Sequence, residues 1–226
     1  MNRRVEPVLR LPAVCIVTRG RGTASSPERS SLLERLAAAA SAGAAIVQVR
    51  ERQLDDRQLL EFVTQVIGVV RPAGTLVLVN DRVDVALAAG ADGVHLKSDA
   101  PPAGDVRQIA SPELVIGRSV HSAEEAAAAG ACDYLVFGTV FPSGSKPAGH
   151  PVAGIEALKR VCESTTLPVF AIGGISVNRA TAVAAAGAAG VAAIGLFSDA
   201  NDISATVTAL RSALTRHAGD VRLGET

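Results

Sequence analysis

Eight short apolar runs rich in β-branched residues recur along this chain, separated by stretches with a helical period. They are AVCIVT from Ala13, AAIVQV from Ala44, TLVLVN from Thr75, GVHL from Gly93, LVIGRSV from Leu114, DYLVFG from Asp133, PVFAIG from Pro168 and GVAAIG from Gly190. None has the strict alternation of a half-exposed strand, so each reads as a strand buried on both faces of a parallel sheet. The segments between them set apolar residues three and four apart. SSLLERLAAAASAG from Ser30, LDDRQLLEFVTQVIGVV from Leu54 and ATVTALRSALTRH from Ala205 show this best. Gly43, Gly90, Gly130 and Gly187 follow alanines where helices should stop, and each is expected in the left-handed conformation.

Eight strand–helix units within 226 residues predict an α/β fold of one domain, the closed (β/α)8 or TIM barrel. The competing architecture is a doubly wound open sheet. Its dinucleotide fingerprint is missing, because Gly20-Arg21-Gly22 after the first strand lacks the third glycine. Lys146 has no glycine six residues before it, so there is no Walker A loop either. The domain is expected to span residues 1–226 with its core at about 13–214, leaving a flexible N-terminal extension and a flexible 219–226 tail.

Composition removes several classes of function. Lys+Arg and Asp+Glu balance at 22 each, and five Phe, one Tyr and no Trp offer little for base stacking, so nucleic acid is not an expected partner. No apolar run reaches the ~18 residues that span a bilayer, so no membrane partner is expected. Glu6, Pro7 and Pro12 interrupt the basic N-terminus, which does not read as a secretory signal. Cys15, Cys132 and Cys162 are odd in number and lack CxxC spacing, as expected of reduced thiols in the cytoplasm.

A barrel of this kind carries its chemistry at the C-terminal ends of the strands. Polar residues collect there: Gln48, Arg50, Glu51 and Arg52; Asn80, Asp81 and Arg82; His95, Lys97 and Asp99; Arg118, Ser119 and His121. The loop FPSGSKPAGH from Phe141 follows the sixth strand, and Gly173-Gly174 and Ile194-Gly195 close the seventh and eighth. Glycines at those last two ends suit a phosphate cup built from backbone N–H groups. The cations Arg50, Arg52, Arg82, Lys97, Arg118 and Lys146 at one rim of a neutral chain suit an anion larger than one phosphate, such as a diphosphate. His121 ends a strand and is a candidate proton shuttle, whereas His95 lies inside an apolar strand and reads as a hydrogen-bonded core imidazole. Lys146 sits well into a Gly/Pro/Ser loop, where a hydrated ammonium suits phosphate pairing better than Schiff-base chemistry.

Taken in order, VQVRER, VNDRVDVALAAGADGVHL, IGRSVHSAEEA, YLVFGTVFPSGSK and AIGGI resemble the thiamine phosphate synthases and their relatives, the TenI-type thiazole tautomerases. The likeness runs from about Ala13 to Leu214 and implies a TIM barrel. It implies that Gln48, Arg50, Glu51, Arg52, Asn80 and Ser119 bind an aminopyrimidine diphosphate, with Lys146 on its diphosphate. It further implies that Ser143, Gly144 and Ser145 meet a thiazole phosphate held by Gly173, Gly174, Ile194 and Gly195. His121, Lys146 and Arg50 are the implied catalytic residues.

Asp81 matches the first Mg²⁺ ligand of the synthases. Their second ligand falls at Ala100, which leaves Asp99 as a substitute and Lys97 as a nearby cation. The metal site is therefore expected to be weakened. Two reactions fit: coupling of hydroxymethylpyrimidine diphosphate to thiazole phosphate with release of diphosphate, or tautomerisation of the thiazole phosphate through His121. Both substrates are small phosphorylated molecules, the setting is cytoplasmic, and a homodimer is compatible with either.

Overall fold

A computed structural model describes residues 9–20, 26–144 and 149–221. Its strands are β1 (Ala13–Val17), β2 (Ile46–Val49), β3 (Leu76–Asn80), β4 (Gly93–Leu96), β5 (Val115–Val120), β6 (Tyr134–Gly138), β7 (Val169–Ile172) and β8 (Gly190–Ala193). Each lies within one of the eight apolar runs. All pair in parallel in sequence order, and β8 pairs back onto β1 to close the barrel. No sheet edge remains, so the open-sheet alternative is excluded.

The helices follow the strands: α1 (Ser26–Ser41), α2 (Asp56–Val70), α3 (Val83–Ala89), α4 (Ala103–Ile109), α5 (Ala123–Ala127), α6 (Gly154–Glu163), α7 (Val177–Ala185), the single turn α8 (Gly195–Ser198), and α9 (Ile203–Val221). The start of α2 shows how local chemistry sets a boundary. Asp55 accepts from the Gln58 backbone N–H at 2.8 Å, and the Gln58 side chain accepts from the Asp55 N–H at 3.2 Å. This reciprocal pair satisfies two N–H groups that the first helical turn leaves over. The C-terminal helix runs to Val221, past the start of the expected tail at Gly219, while residues 1–8 and 222–226 lie outside the described residues.

Gly43, Gly90 and Gly187 take positive φ as expected, but Gly130 does not; Ala131 does, at φ 62°. Helix α5 stops at Ala127, and the Gly130 N–H then reaches back to the Ala128 carbonyl. The chain reverses one residue later than the Ala-Gly pair signals.

The uniformly apolar strands conceal a two-residue alternation. In β1, Cys15 and Val17 point into the barrel, while Val14 and Ile16 point out to the helices. The same parity puts Ile46, Leu76, Leu78, Val115, Tyr134, Val136, Phe170 and Ala192 inside. Tyr134 stacks on Phe170 with centroids 4.8 Å apart. Gly117 makes that possible, because a Cβ there would overlap the Tyr134 ring. The lower barrel is thus a packed core, and the space above it widens towards the strand C-termini.

Candidate active site

A cavity of about 1160 Å³ occupies the mouth formed by the C-terminal strand ends. Strand parity decides which side chains reach it. Gln48, Asn80, His95 and Ser119 carry the inward alternation of β2 to β5 one step above the apolar core, and all four line the cavity. Residues two further on keep the same direction, so Arg50, Lys97 and His121 line it too. The opposite half is built from Val136, Gly138, Ile172, Gly173, Gly174, Ala192, Ile194 and Gly195. The strand ends of one half therefore offer polar side chains, and those of the other offer small apolar groups and bare backbone, with polar side chains there coming from loops and helices.

Residues of the other parity turn away. Arg118 donates to the carbonyls of Ser98, Ala100 and Pro101 at 2.8–2.9 Å, tying the loop after β4. Arg82 has the inward parity of Asn80, but the left-handed Asp81 between them interrupts the alternation, and Arg82 pairs instead with Asp84 and Asp56, each at 2.7 Å, which holds its pKa above the usual value. Neither side chain lines the cavity, so the expected rim of six cations loses two. Glu51 is buried off the cavity wall and accepts from Gln53 at 2.8 Å. Ser143 and Gly144 line the mouth on the loop after β6, while Ser145 and Lys146 lie outside the described residues.

Two cavity-lining cations were not foreseen. Arg19 stands two residues beyond Val17, on the inward parity of β1. Arg179 comes from α7; it donates to the Gly174 carbonyl at 2.6 Å and lies over the Phe141 ring at 4.6 Å. No strand-end signal could have found a helical residue such as Arg179. Among the described residues, Arg19, Arg50 and Arg52 have no carboxylate within ion-pair distance. Burial lowers the Arg50 pKa, and the like charges of Arg52 and Arg19 lower it further. Guanidinium groups gathered in this way favour a multiply charged anion among them.

The glycines expected to form a phosphate cup stand at the ends of β7 and β8. Gly173 and Gly174 hold φ of 97° and 60°. A Cβ on Gly174 would run into Phe141 and the Pro142 carbonyl, so only glycine fits there. Within the described residues the Gly174 and Gly195 N–H groups donate to no acceptor. Such groups in a half-buried cleft favour an anionic acceptor. One carboxylate stands close by: a Cβ on Gly195 would lie 3.6 Å from Asp199 Oδ2, and Ser198 donates to Asp199 Oδ1 at 2.8 Å.

On the other side, Asp81 adopts φ 63°, a left-handed conformation that Asp tolerates better than most residues. Lys97 Nζ lies 2.6 Å from Asp81 Oδ2 and 3.9 Å from Asp99 Oδ1. The bond to Asp81 raises the Lys97 pKa above its usual value. Asp99 lines the cavity, whereas Ala100 packs against the outer core. An ammonium thus bridges two carboxylates at the place where the sequence anticipates a cation. Among the described residues, no three His, Cys, Asp or Glu side chains gather as a metal cluster. A hard cation there would rely on Asp81 and Asp99 plus ligand oxygens, a donor set that Mg²⁺ accepts.

His121 Nδ1 lies 2.9 Å from the Gly138 carbonyl and therefore donates to it. His95 is buried as expected, but it also forms part of the cavity floor. Its Nδ1 lies 3.1 Å from the Tyr134 hydroxyl and its Nε2 2.9 Å from Ser119 Oγ. Burial pushes its pKa down to about 4 against a smaller opposing pull from Asp81, so the ring is neutral at pH 7.

Comparison with known proteins places this geometry in a family. The thiamine monophosphate synthase family matches residues 15–197. The chain is 43% identical over 181 residues to the thiamine-phosphate synthase of Methanoculleus marisnigri, spanning 79% of this chain and 85% of that one. It is 38% identical over 190 residues to the thiamine-phosphate synthase of Moorella thermoacetica, spanning 83% and 90%. Among solved structures it resembles a thiamine phosphate pyrophosphorylase from Pyrococcus furiosus, with a TM-score of 0.78 and 34% identity, covering 91% of this chain and 96% of that one.

Proposed function

The chain belongs to the thiamine monophosphate synthase family, and on that footing we propose that it is the transferase joining hydroxymethylpyrimidine diphosphate to thiazole phosphate. The bond from the pyrimidine methylene carbon to the diphosphate oxygen breaks, and diphosphate leaves with the electron pair. The thiazole nitrogen then attacks that carbon, giving thiamine phosphate. What supports this reading is the divided mouth, in which arginines without a carboxylate partner among the described residues face one half and glycine N–H groups without an acceptor among the described residues face the other.

Arg50, Arg52 and Lys97 neutralise the departing diphosphate, and Lys146 on the loop after β6 is assigned to the same anion. Charged donors held in a partly desolvated site stabilise a leaving group more than water does. Gln48, Asn80 and Ser119 orient the pyrimidine ring; Glu51, buried behind them, supports the segment. Gly173, Gly174, Ile194 and Gly195 hold the phosphate of the thiazole, with Ser143, Gly144 and Ser145 beside its ring. His121, which lines the mouth, serves proton transfers on that side.

The family's Mg²⁺ fits Asp81 and Asp99, and when bound it supplies charge neutralisation on the diphosphate. Lys97 holds both carboxylates meanwhile, so metal binding is expected to need the diphosphate substrate. We assign the protein to the cytoplasm as a single-domain enzyme, alone or as a homodimer; no helix of the described residues is long and apolar enough to cross a membrane.

The tautomerase reading is not favoured. The similar proteins named above are synthases and a pyrophosphorylase, and isomerising a thiazole phosphate gives the Arg19, Arg50 and Arg52 group no anion to hold. Incubation with both precursors and Mg²⁺ tests the proposal. Thiamine phosphate and inorganic diphosphate should form in equal amounts; a product that is only an isomerised thiazole phosphate would overturn it.

A further inference from the structure

The glycine side of the mouth is assigned to a phosphate, yet its backbone donors are neutral. Asp199 lines the same side, and its Oδ2 lies 3.6 Å from where a Gly195 Cβ would stand. A phosphate monoester brings about two negative charges at pH 7. Neutral N–H groups beside a carboxylate do not balance that charge, so the cup calls for a cation.

Arg179 is fixed where it can supply one. Its Nη1 donates to the Gly174 carbonyl at 2.6 Å, and its guanidinium lies over the Phe141 ring, 4.6 Å from the centroid. Phe141 is held in turn. Its backbone N–H donates to the Gly173 carbonyl at 3.1 Å, and a Cβ on Gly174 would come within 2.7 Å of the Phe141 Cβ. The carbonyl thus anchors one nitrogen of the arginine, and the ring sets the plane of the rest. A guanidinium carries several more N–H donors in a planar fork. Among the described residues no carboxylate pairs with Arg179, and the side chain lines the cavity. So held, it has little rotamer freedom left to lose when an anion binds. Arg179 also stands in the first turn of α7, which contains no acidic residue. A cation there opposes the helix dipole, and a phosphate beside it relieves that repulsion.

We propose that Arg179 is a substrate-binding residue that makes the glycine cup prefer a phosphorylated thiazole to the free thiazole alcohol, its remaining N–H groups donating to the phosphate while Gly174 and Phe141 hold it in place. This rests on the synthase reading and deepens it, by naming the charge that recognises the thiazole phosphate. The glycines set the shape of the cup, and Arg179 sets its charge.

Titrating the full chain with thiazole phosphate, the corresponding thiazole alcohol and inorganic phosphate tests this, with the ¹⁵N amide signals of Gly174 and Gly195 as the readout. Arg179→Ala should weaken thiazole phosphate and inorganic phosphate about tenfold each, and leave the dissociation constant of the alcohol within about twofold. Arg179→Gln can still donate to the Gly174 carbonyl but carries no charge, so it should lose the same preference. Equal weakening of thiazole phosphate and alcohol, or a wild-type preference in Arg179→Gln, would mark the arginine as a mere support for the turn and overturn the proposal. Inorganic phosphate that leaves both amides of the wild type unmoved would overturn it as well. A wild-type protein that makes no thiamine phosphate would remove the synthase reading, while the inorganic phosphate titration still decides the role of Arg179.

Discussion

The two halves of the mouth recognise ligands by different means. From β2 to β5 the work falls to side chains (Gln48, Asn80, His95 and Ser119, with Arg50 and Lys97 above them), fixed in direction by strand parity. From β6 to β8 the strand ends narrow to Gly138, Gly173, Gly174 and Gly195, so backbone faces the mouth there, flanked by loop and helix side chains such as Ser143, Ser176 and Arg179. A side-chain site fails when an atom is removed. A backbone site fails when an atom is added.

The largest expected effect is therefore an addition. Gly174→Ala forces a Cβ onto Phe141 and Pro142 at a φ of 60°. Strain and obstruction of about 3 kcal/mol should raise KM for the thiazole phosphate on the order of a hundredfold. Steady-state kinetics with each substrate varied in turn would check this, and KM for the pyrimidine diphosphate should stay within about twofold.

Second comes the pH dependence of the polar half. His95 has a folded pKa of about 4 against an ordinary 6.5. Above pH 6.5 the ring is neutral in both states and contributes nothing. As pH falls below 6.5 the unfolded chain binds a proton that the folded one excludes, so stability drops until about pH 4, and the loss is on the order of 2 kcal/mol by pH 5. Urea unfolding at pH 7.5 and pH 5 should show that loss in the wild type and much less of it in His95→Gln. Identical slopes in the two proteins would mean that His95 is not buried neutral.

An effect of similar size is expected from deletion on the arginine side. Arg50→Ala removes charge-assisted hydrogen bonds worth about 2 kcal/mol, lowering kcat/KM for the pyrimidine diphosphate roughly thirtyfold while Arg19 and Arg52 retain the remainder. The smallest sharpens the glycine half. A Cβ on Gly195 meets nothing nearer than Asp199 Oδ2 at 3.6 Å, so Gly195→Ala should change thiazole phosphate kinetics by less than about twofold. A loss as large as that of Gly174→Ala would show that the cup is tight on both sides.

The same contrast explains what could be read before the structure. The eight strands were legible because a parallel barrel buries both strand faces and leaves continuous apolar runs. That continuity hides which face is inside. Arg118 and Arg50 look equally like rim cations, yet Arg118 lies one residue from the inward Ser119 and Arg50 lies two from the inward Gln48. Counting parity from Val17, Gln48, His95 and Ser119 would have discarded Arg118 and Glu51 and found Arg19. The helical Arg179 and the left-handed turn at Asp81 stayed hidden, because both depend on how separate elements meet. Asp99, which seemed one residue out of place as a cation ligand, stands on the cavity wall, while Ala100 packs against the core.

The central claim is the division of labour across the mouth, and ¹⁵N NMR titration of the whole protein tests it most directly. Thiazole phosphate should shift the backbone amides of Gly174 and Gly195 and leave the side-chain amides of Gln48 and Asn80 in place. The pyrimidine diphosphate should do the reverse. If either ligand moves both sets together, or the two ligands exchange sets, the two halves do not recognise separate substrates and the account is wrong.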